Sequence, residues 1–448
     1  MGNARQHVVV IGASMSGLLA ARALESVFSR VTIIEKDNLH RGGAPRRSVP
    51  QGQHAHGLLA CGRDVMESLF CGVSDELVEK GALEVDYLRD MMWVSDGQPI
   101  RSGPSAIGGL LFSRPSLEEH IRSRLLKSKN VKLIAGASVT GLLRSADNKC
   151  VTGVTYEPVN GSASEISADL VIDASGRGSH SPAWLREMGY EAPREEKVSV
   201  GVTYTTCTFR RNASDLGGKL GVVVAASPPD WRCGAMLAQE GDRWITSIGG
   251  YFGDRAPADH DGYRAFARTL PVPQIAEIIA AAEPLTPFAT YSFVASLRRH
   301  YEELTSFPEG YLVLGDALCS FNPIYGQGMT VASLEARVLG TLLRQRRAGI
   351  ARRFFKVAKS LIDVPWDIVV GNDLQHPRAT SAQTMRLRLM NWYLGQLKQR
   401  LPSDLELSRA FLGVSNMKEP PSRLFHPQIV GRLFRPSHVR ALEESHSI

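Results

Sequence analysis

Several of the features that mark common protein classes are scarce in this sequence. The six cysteines (Cys61, Cys71, Cys150, Cys207, Cys233 and Cys319) are scattered among apolar or small neighbours, and none forms a C-x-x-C pair. This argues against a structural metal and fits buried thiols in a reducing cytoplasm. No apolar run reaches the roughly 18 residues that a membrane span needs. The first such run, VVVIGASMSGLLAARAL, is broken by Gly12, Gly17 and two serines instead of ending in a cleavage site. The expectation is a cytoplasmic protein without signal peptide or transmembrane segment. The net charge of +7 is modest for 448 residues, and basic and acidic residues alternate along most of the chain, which argues against nucleic-acid binding. One exception is Arg344–Lys359, with seven basic residues and no acidic one; it reads as a solvated helix end and loop, the alternative being a contact with a membrane surface or a redox partner. No Ser-His-Asp or Cys-His arrangement for nucleophilic catalysis stands out.

What is present is organised. A hydrophobic content of 43% and a charged content of 22% are those of a globular protein long enough for two or three domains. HVVVIG, then a helical pattern after Gly17, then RVTIIEK give a β-α-β opening. SRPSLEEHIRSRLLKS reads as a helix, and the segments between Asn130 and Ser179 read as a strand meander returning to the first sheet. From about Tyr190 to Tyr301 long alternating segments predict an antiparallel sheet, with which DMMWVSDGQPIRS can pair. GYLVLGDA resumes a buried parallel strand, GMTVASLEARVLGTLLRQ is a helix, and the remainder reads as helices broken at prolines.

Two glycine-rich turns carry the chemistry. GASMSG places Gly12 and Gly17 at the outer positions of G-x-G-x-x-G, with Ser14 at the middle one. Small residues between a strand and a helix let the backbone approach a pyrophosphate, and the helix N-terminus offers free N–H groups. Glu35 ends the second strand 18 residues after Gly17, where a carboxylate can accept from ribose hydroxyls, and Lys36 beside it is a further cofactor-binding candidate. The second turn, GDALCSFNPIYGQGM, has one carboxylate, Asp316, and no further charge through Met329. Asp316 at a strand end can bind the polyol chain of a flavin, and NPIYGQGM leads into a helix whose free N–H groups can face an electron-rich ring edge. Gly326 and Gly328 permit close backbone passage and Pro323 stiffens the approach. His54 and His56 read as hydrogen-bonded residues near the cofactor, with no metal site. Met91, Trp93, Trp231 and Trp244 are candidates for an apolar substrate pocket, although such residues on strands are more often core.

VVVIGASMSG, SRPSLEEHIRSRL, ADLVIDASGRGS and GDALCSFNPIYGQGM occur in the order of the flavin motifs of FAD-dependent monooxygenases related to para-hydroxybenzoate hydroxylase. PRRSVPQGQHAHGLLACG, RRHYE and FNPIYGQGM resemble more closely the polyether-type epoxidases of bacterial secondary metabolism. The resemblance implies an α/β fold with an α+β insert. A Rossmann-like FAD-binding domain would span residues 1–85, 108–189 and 302–349, an antiparallel-sheet substrate domain residues 86–107 and 190–301, and a helical C-terminal region residues 350–448. It implies non-covalent FAD, with Gly12, Ser14 and Gly17 at the pyrophosphate, Glu35 at the adenosine ribose, Arg114 on the nucleotide side and Asp316 at the ribitol. Gly326, Gln327, Gly328 and Met329 would meet the pyrimidine edge. Arg46, Arg47, Gln51 and His54 would lie beside the ring, and His56 and Tyr325 toward the substrate. The implied activity is oxygen insertion from O2, through a flavin C4a-hydroperoxide, into a lipophilic polyketide or isoprenoid, with alkene epoxidation favoured over hydroxylation. Two departures matter. Ser175-Gly176 stands where hydroxylases of this kind have Asp-Gly, so electrons come from NAD(P)H or from a separate flavin reductase. The W-x-W-x-I-P run of flavin halogenases is missing. The rival readings are a flavin reductase of the geranylgeranyl-reductase type and a flavin-binding protein without catalysis.

Overall fold

The computed structural model describes residues 6–39, 46, 48–346, 348–379 and 384–433; Arg47 lies outside the described residues. The chain divides into two compact units, Met1–Ala82 with Phe112–Val202 and Tyr291–Thr380, and Leu83–Leu111 with Thr203–Thr290 and Ser381–Ile448.

The first unit is built on a five-stranded parallel sheet. Strand β1 (His7–Ile11) lies between β2 (Arg30–Glu35) and Leu170–Asp173, with Val131–Ala135 and Tyr311–Val313 at the two edges. The run Val8-Val9-Val10 is fully buried, because a parallel strand covered on both faces needs apolar side chains on both. Helix α1 (Met15–Glu25) crosses between β1 and β2. It packs tightly on helix Gly328–Gln345: a Cβ on Gly340 would lie 2.9 Å from the Ala23 carbonyl oxygen. The expected meander is an antiparallel three-stranded sheet of Ser164–Ser167, Val151–Pro158 and Ala137–Arg144. Helix Ile350–Asp373 runs through Pro365, where the sequence suggested a break. Pro365 lacks one backbone N–H, and the burial of Phe354, Phe355, Ile362, Trp366 and Val369 on the same helix offsets that loss.

The second unit holds a mostly antiparallel sheet. Thr203–Arg210 pairs with Arg243–Gly250, which pairs with Cys233–Gln239, which pairs with Gly221–Val224. Met91–Ser95 joins this sheet, as the alternation of the early segment suggests, but parallel to Gly221–Val224. Helices His260–Ala267, Gln274–Ala281, Met385–Lys398, Leu405–Ser415 and Pro427–Leu433 belong to the same unit. Among the described residues no helix is long and apolar enough to cross a membrane.

Candidate functional site

The first glycine turn leaves β1 at Ile11, and Gly12 takes φ +101. A Cβ there would lie 2.6 Å from the Ala174 carbonyl oxygen, and one on Gly17 would lie 1.9 Å from the Gly12 carbonyl oxygen. Both glycines are required by close backbone approach. Ser14, by contrast, is the N-cap of α1 with φ −86, a conformation open to any residue. Its hydroxyl does not cap the helix; it donates to Glu118 Oε1 at 2.8 Å. The serine side chain is thereby turned aside, and the first N–H groups of α1 keep no side-chain acceptor.

Glu118 is the centre of this end, and nothing in its local sequence marks it out. It is 4% exposed and accepts from Arg114 Nε at 3.1 Å and Arg46 Nη2 at 2.8 Å as well as from Ser14. Burial pushes its carboxyl up, yet Arg114, Arg46 and Ser14 together hold it below the usual carboxylate range. Arg46 also reaches Glu35, Nη1 to Oε2 at 3.2 Å. Glu35 is buried at the end of β2 and accepts from the backbone N–H groups of Ala13 at 2.7 Å and Asp37 at 2.9 Å. Lys36 is exposed. Asp37 pins the following loop by accepting from Ser48 N–H at 3.2 Å.

Arg114 opens helix Arg114–Leu125 and joins the other candidates to this network. It donates from Nη2 to Ser14 Oγ at 3.2 Å and from Nη1 to His56 Nε2 at 3.0 Å. His56 Nε2 is thus an acceptor, so Nδ1 carries the proton and donates to the His54 carbonyl at 3.0 Å. Burial and then Arg114 depress the His56 pKa to about 3, and burial depresses that of His54 to about 4. Both rings are neutral at physiological pH. The His54 ring lies 5.6 Å from that of Tyr291, whose hydroxyl accepts from Gln51 Nε2 at 3.3 Å.

The second glycine turn meets the first. Gly315 has φ +66, and a Cβ on it would lie 2.4 Å from Ser16 Oγ in the first turn of α1. Gly315 N–H donates at 2.7 Å to Glu335, a fully buried carboxyl on helix Gly328–Gln345. Burial, and the neighbouring Asp316 charge, push the Glu335 pKa up to about 8. Asp316 is itself raised by burial, against the pull of Arg114 and Arg177. Helix Gly328–Gln345 starts at Gln327 without a side-chain cap. The side-chain oxygens Gln327 Oε1, Thr330 Oγ1 and Glu335 Oε1 are buried there without a hydrogen-bond partner. Gly326 closes the short helical turn Pro323–Tyr325 at φ +69, and a Cβ on Gly328 would lie 3.8 Å from Asp316 Oδ1.

The uncharged loop is tied down from below. Asn322, fully buried, donates to Asp373 Oδ1 at 3.1 Å, and the Tyr325 hydroxyl donates to the same oxygen at 2.9 Å. Tyr325 therefore spends its hydroxyl on the end of helix Ile350–Asp373. The turn carrying Ser175-Gly176 is organised by fully buried Asp173, which accepts from Ser175 N–H at 2.9 Å and from Ser179 Oγ at 2.5 Å.

The four apolar candidates belong to the second unit. Trp244 is fully buried and donates its indole N–H to Asp215 at 2.7 Å, with Arg211 stacked over the ring. Trp231 is buried against Tyr251, Met91 is buried with its terminal methyl against Gly221, and Trp93 donates to the Tyr87 carbonyl. Among the described residues no group of three His, Cys, Asp or Glu is spaced to hold a metal ion.

A parallel sheet whose strand ends carry two glycine-lined helix starts is the architecture of a dinucleotide-binding flavoprotein. Residues 7–245 match the FAD dependent oxidoreductase family, and the chain belongs to it. It is 35% identical over 359 residues to Protein Rv3254 of Mycobacterium tuberculosis, covering 78% of this chain and 75% of that one. It is 24% identical to squalene epoxidase 1 of Arabidopsis thaliana, over 77% of this chain and 61% of the relative. Among solved structures, p-nitrophenol 4-monooxygenase PnpA of Pseudomonas putida shares the fold with a TM-score of 0.65 at 14% identity, over 93% of this chain and 99% of that one.

Proposed function

We propose that this flavin-dependent monooxygenase binds FAD non-covalently along the strand ends of its first unit and inserts one atom of O2 into a lipophilic alkene, with hydroxylation as the next reading. The observation that carries the cofactor assignment is the contact of Gly315 with Ser16. It sets the turn Gly315–Ala317 against the start of α1, and Gly328, at the start of the second helix, lies against Asp316 of the same turn; neither helix is capped by a side chain, and all lie in one compact unit. The residues fit FAD on independent grounds. Gly12 and Gly17 let strand, turn and helix pack backbone against backbone so that the start of α1 stays uncapped, Arg114 and Arg46 stand beside that turn in ion pairs with Glu118 and Glu35, and Asp316 can accept from polyol hydroxyls. Gln327, Gly328 and Met329 would face the pyrimidine edge through backbone N–H groups, with the orphaned Gln327 side chain beside them. Gln51 and His54 would lie beside the ring.

When bound and reduced, FAD supplies the oxygen-activating chemistry. The work left to the protein is to hold, orient and exclude water. His54 and His56 are suited to such work, since both are neutral and weakly basic, and His56 has its nitrogens engaged by Arg114 and the His54 carbonyl. They make poor bases for removing a phenolic proton, which favours a substrate that needs none, such as an alkene of a polyketide or isoprenoid. The electrons would come from NAD(P)H or a separate flavin reductase.

Anaerobic single turnover tests the reading. Reduced protein should leave a lipophilic alkene unchanged without O2 and yield a product containing one atom of labelled oxygen once O2 is admitted. Saturation of the alkene without O2 would make the protein a reductase instead, and absence of any turnover across lipophilic alkenes and phenols would reduce it to a flavin carrier.

A further inference from the structure

Helix Met385–Lys398 in the second unit exposes a face that the flavin chemistry does not use. Met385, Leu389 and Trp392 are 78%, 65% and 61% exposed and recur at i, i+4 and i+7, so they form one stripe. The stripe is not the face by which the helix packs. Leu397 is fully buried and Leu387, Met390 and Leu394 are partly buried, about half a turn round the helix. Arg386 and Arg388, one residue after Met385 and one before Leu389, project to the two sides of the stripe. Beside it Phe425, 43% exposed, stacks on Tyr393 with ring centroids 4.7 Å apart.

The charge flanking the stripe on its own helix is of one sign: Met385–Lys398 carries Arg386, Arg388 and Lys398 and no acidic residue, and Lys398, on the far side of the helix from the stripe, pairs with Asp96 at 3.5 Å. Pairing the helix with its counterpart in a second copy would set Arg386 and Arg388 against like charges, which costs free energy. An aromatic and aliphatic stripe flanked by arginines complements instead an anionic surface with an apolar layer beneath its charges. We propose that helix Met385–Lys398 docks the protein on anionic lipid bilayers, with Leu389 and Trp392 entering the interface and Arg386 and Arg388 meeting the phosphates. This goes beyond the proposed reaction and does not rest on it.

Sedimentation of the full-length flavoprotein with lipid vesicles tests the proposal. Binding to phosphatidylglycerol-containing vesicles is expected, with little to pure phosphatidylcholine. The double variant Arg386→Gln/Arg388→Gln should bind about twenty-fivefold more weakly, as the product of two roughly fivefold losses. Brominated acyl chains should quench the fluorescence of the wild type, and Trp392→Phe should remove most of that quenching. Unchanged flavin content and circular dichroism control for folding of these surface variants. Failure to sediment with anionic vesicles would overturn the proposal, as would sedimentation that Leu389→Ser and Trp392→Ser leave unchanged. So would a dimer by light scattering that Trp392→Ser converts to monomer without vesicle binding, since the face would then belong to a second copy.

Discussion

The two glycine turns of the first unit treat charge in opposite ways. At the first, two buried carboxylates, Glu35 and Glu118, are bridged by Arg46, and Glu118 is also held by Arg114. At the second, Glu335 is buried with a single backbone donor, and both it and Asp316 are pushed toward their neutral forms. The same backbone device, a helix start reached through glycines, is thus set once in an ion-paired frame and once in a nearly uncharged one. Under the proposed reading the ion-paired frame would lie at the pyrophosphate and the uncharged one at the flavin ring.

Removing the hub of the charged end should have the largest effect. Glu118→Ala leaves Arg46 and Arg114 short of their shared carboxylate, and a loss of about 3–5 kcal/mol of stability is expected, read as a lowered Tm with reduced flavin content. An unchanged Tm would mean that the network is no frame. The uncharged end should respond to pH instead. The folded pKa of Glu335, about 8, lies above its ordinary value of 4.5. The folded state therefore binds the extra proton between these values, and the Glu335 contribution is complete at low pH and lost as pH rises toward 8. Its slope is at most about 1.4 kcal/mol per pH unit. Glu335→Gln should remove that component in denaturant titrations across this window, and equal slopes in the two proteins would contradict it. Asp373→Asn weakens the charge-assisted bonds from Asn322 and Tyr325, an expected loss of about 2 kcal/mol. If the loop serves the flavin, affinity for FAD should fall with it. Lys36→Ala, at an exposed side chain, should stay within about 0.5 kcal/mol in stability, and a loss of flavin affinity on the same substitution would place Lys36 at the cofactor.

Much of this was legible in the sequence where a short motif carries its own geometry. Gly12, Gly17, Asp316 and Gly326 sit where the local sequence places them, because a strand end followed by a glycine turn and a helix is a local pattern. The residues that organise those motifs were not legible, because their partners are remote in sequence. Glu118 reads as one of two glutamates near a helix start, and its importance comes from Ser14, 104 residues away, and Arg46, 72 away. Asp373 looks like an ordinary helix end until Asn322, 51 residues earlier, is brought to it. The bond that fixes the Tyr325 hydroxyl on Asp373, 48 residues away, is likewise invisible in the sequence. Pro365 suggests a helix end, and tertiary packing overrides that local preference.

The most direct measurement is the flavin stoichiometry of freshly purified protein, by absorbance and by chromatography of the released cofactor. One FAD per chain, released intact on denaturation and taken up again by the apoprotein, is predicted. A colourless protein that takes up no FAD would contradict the account at its root.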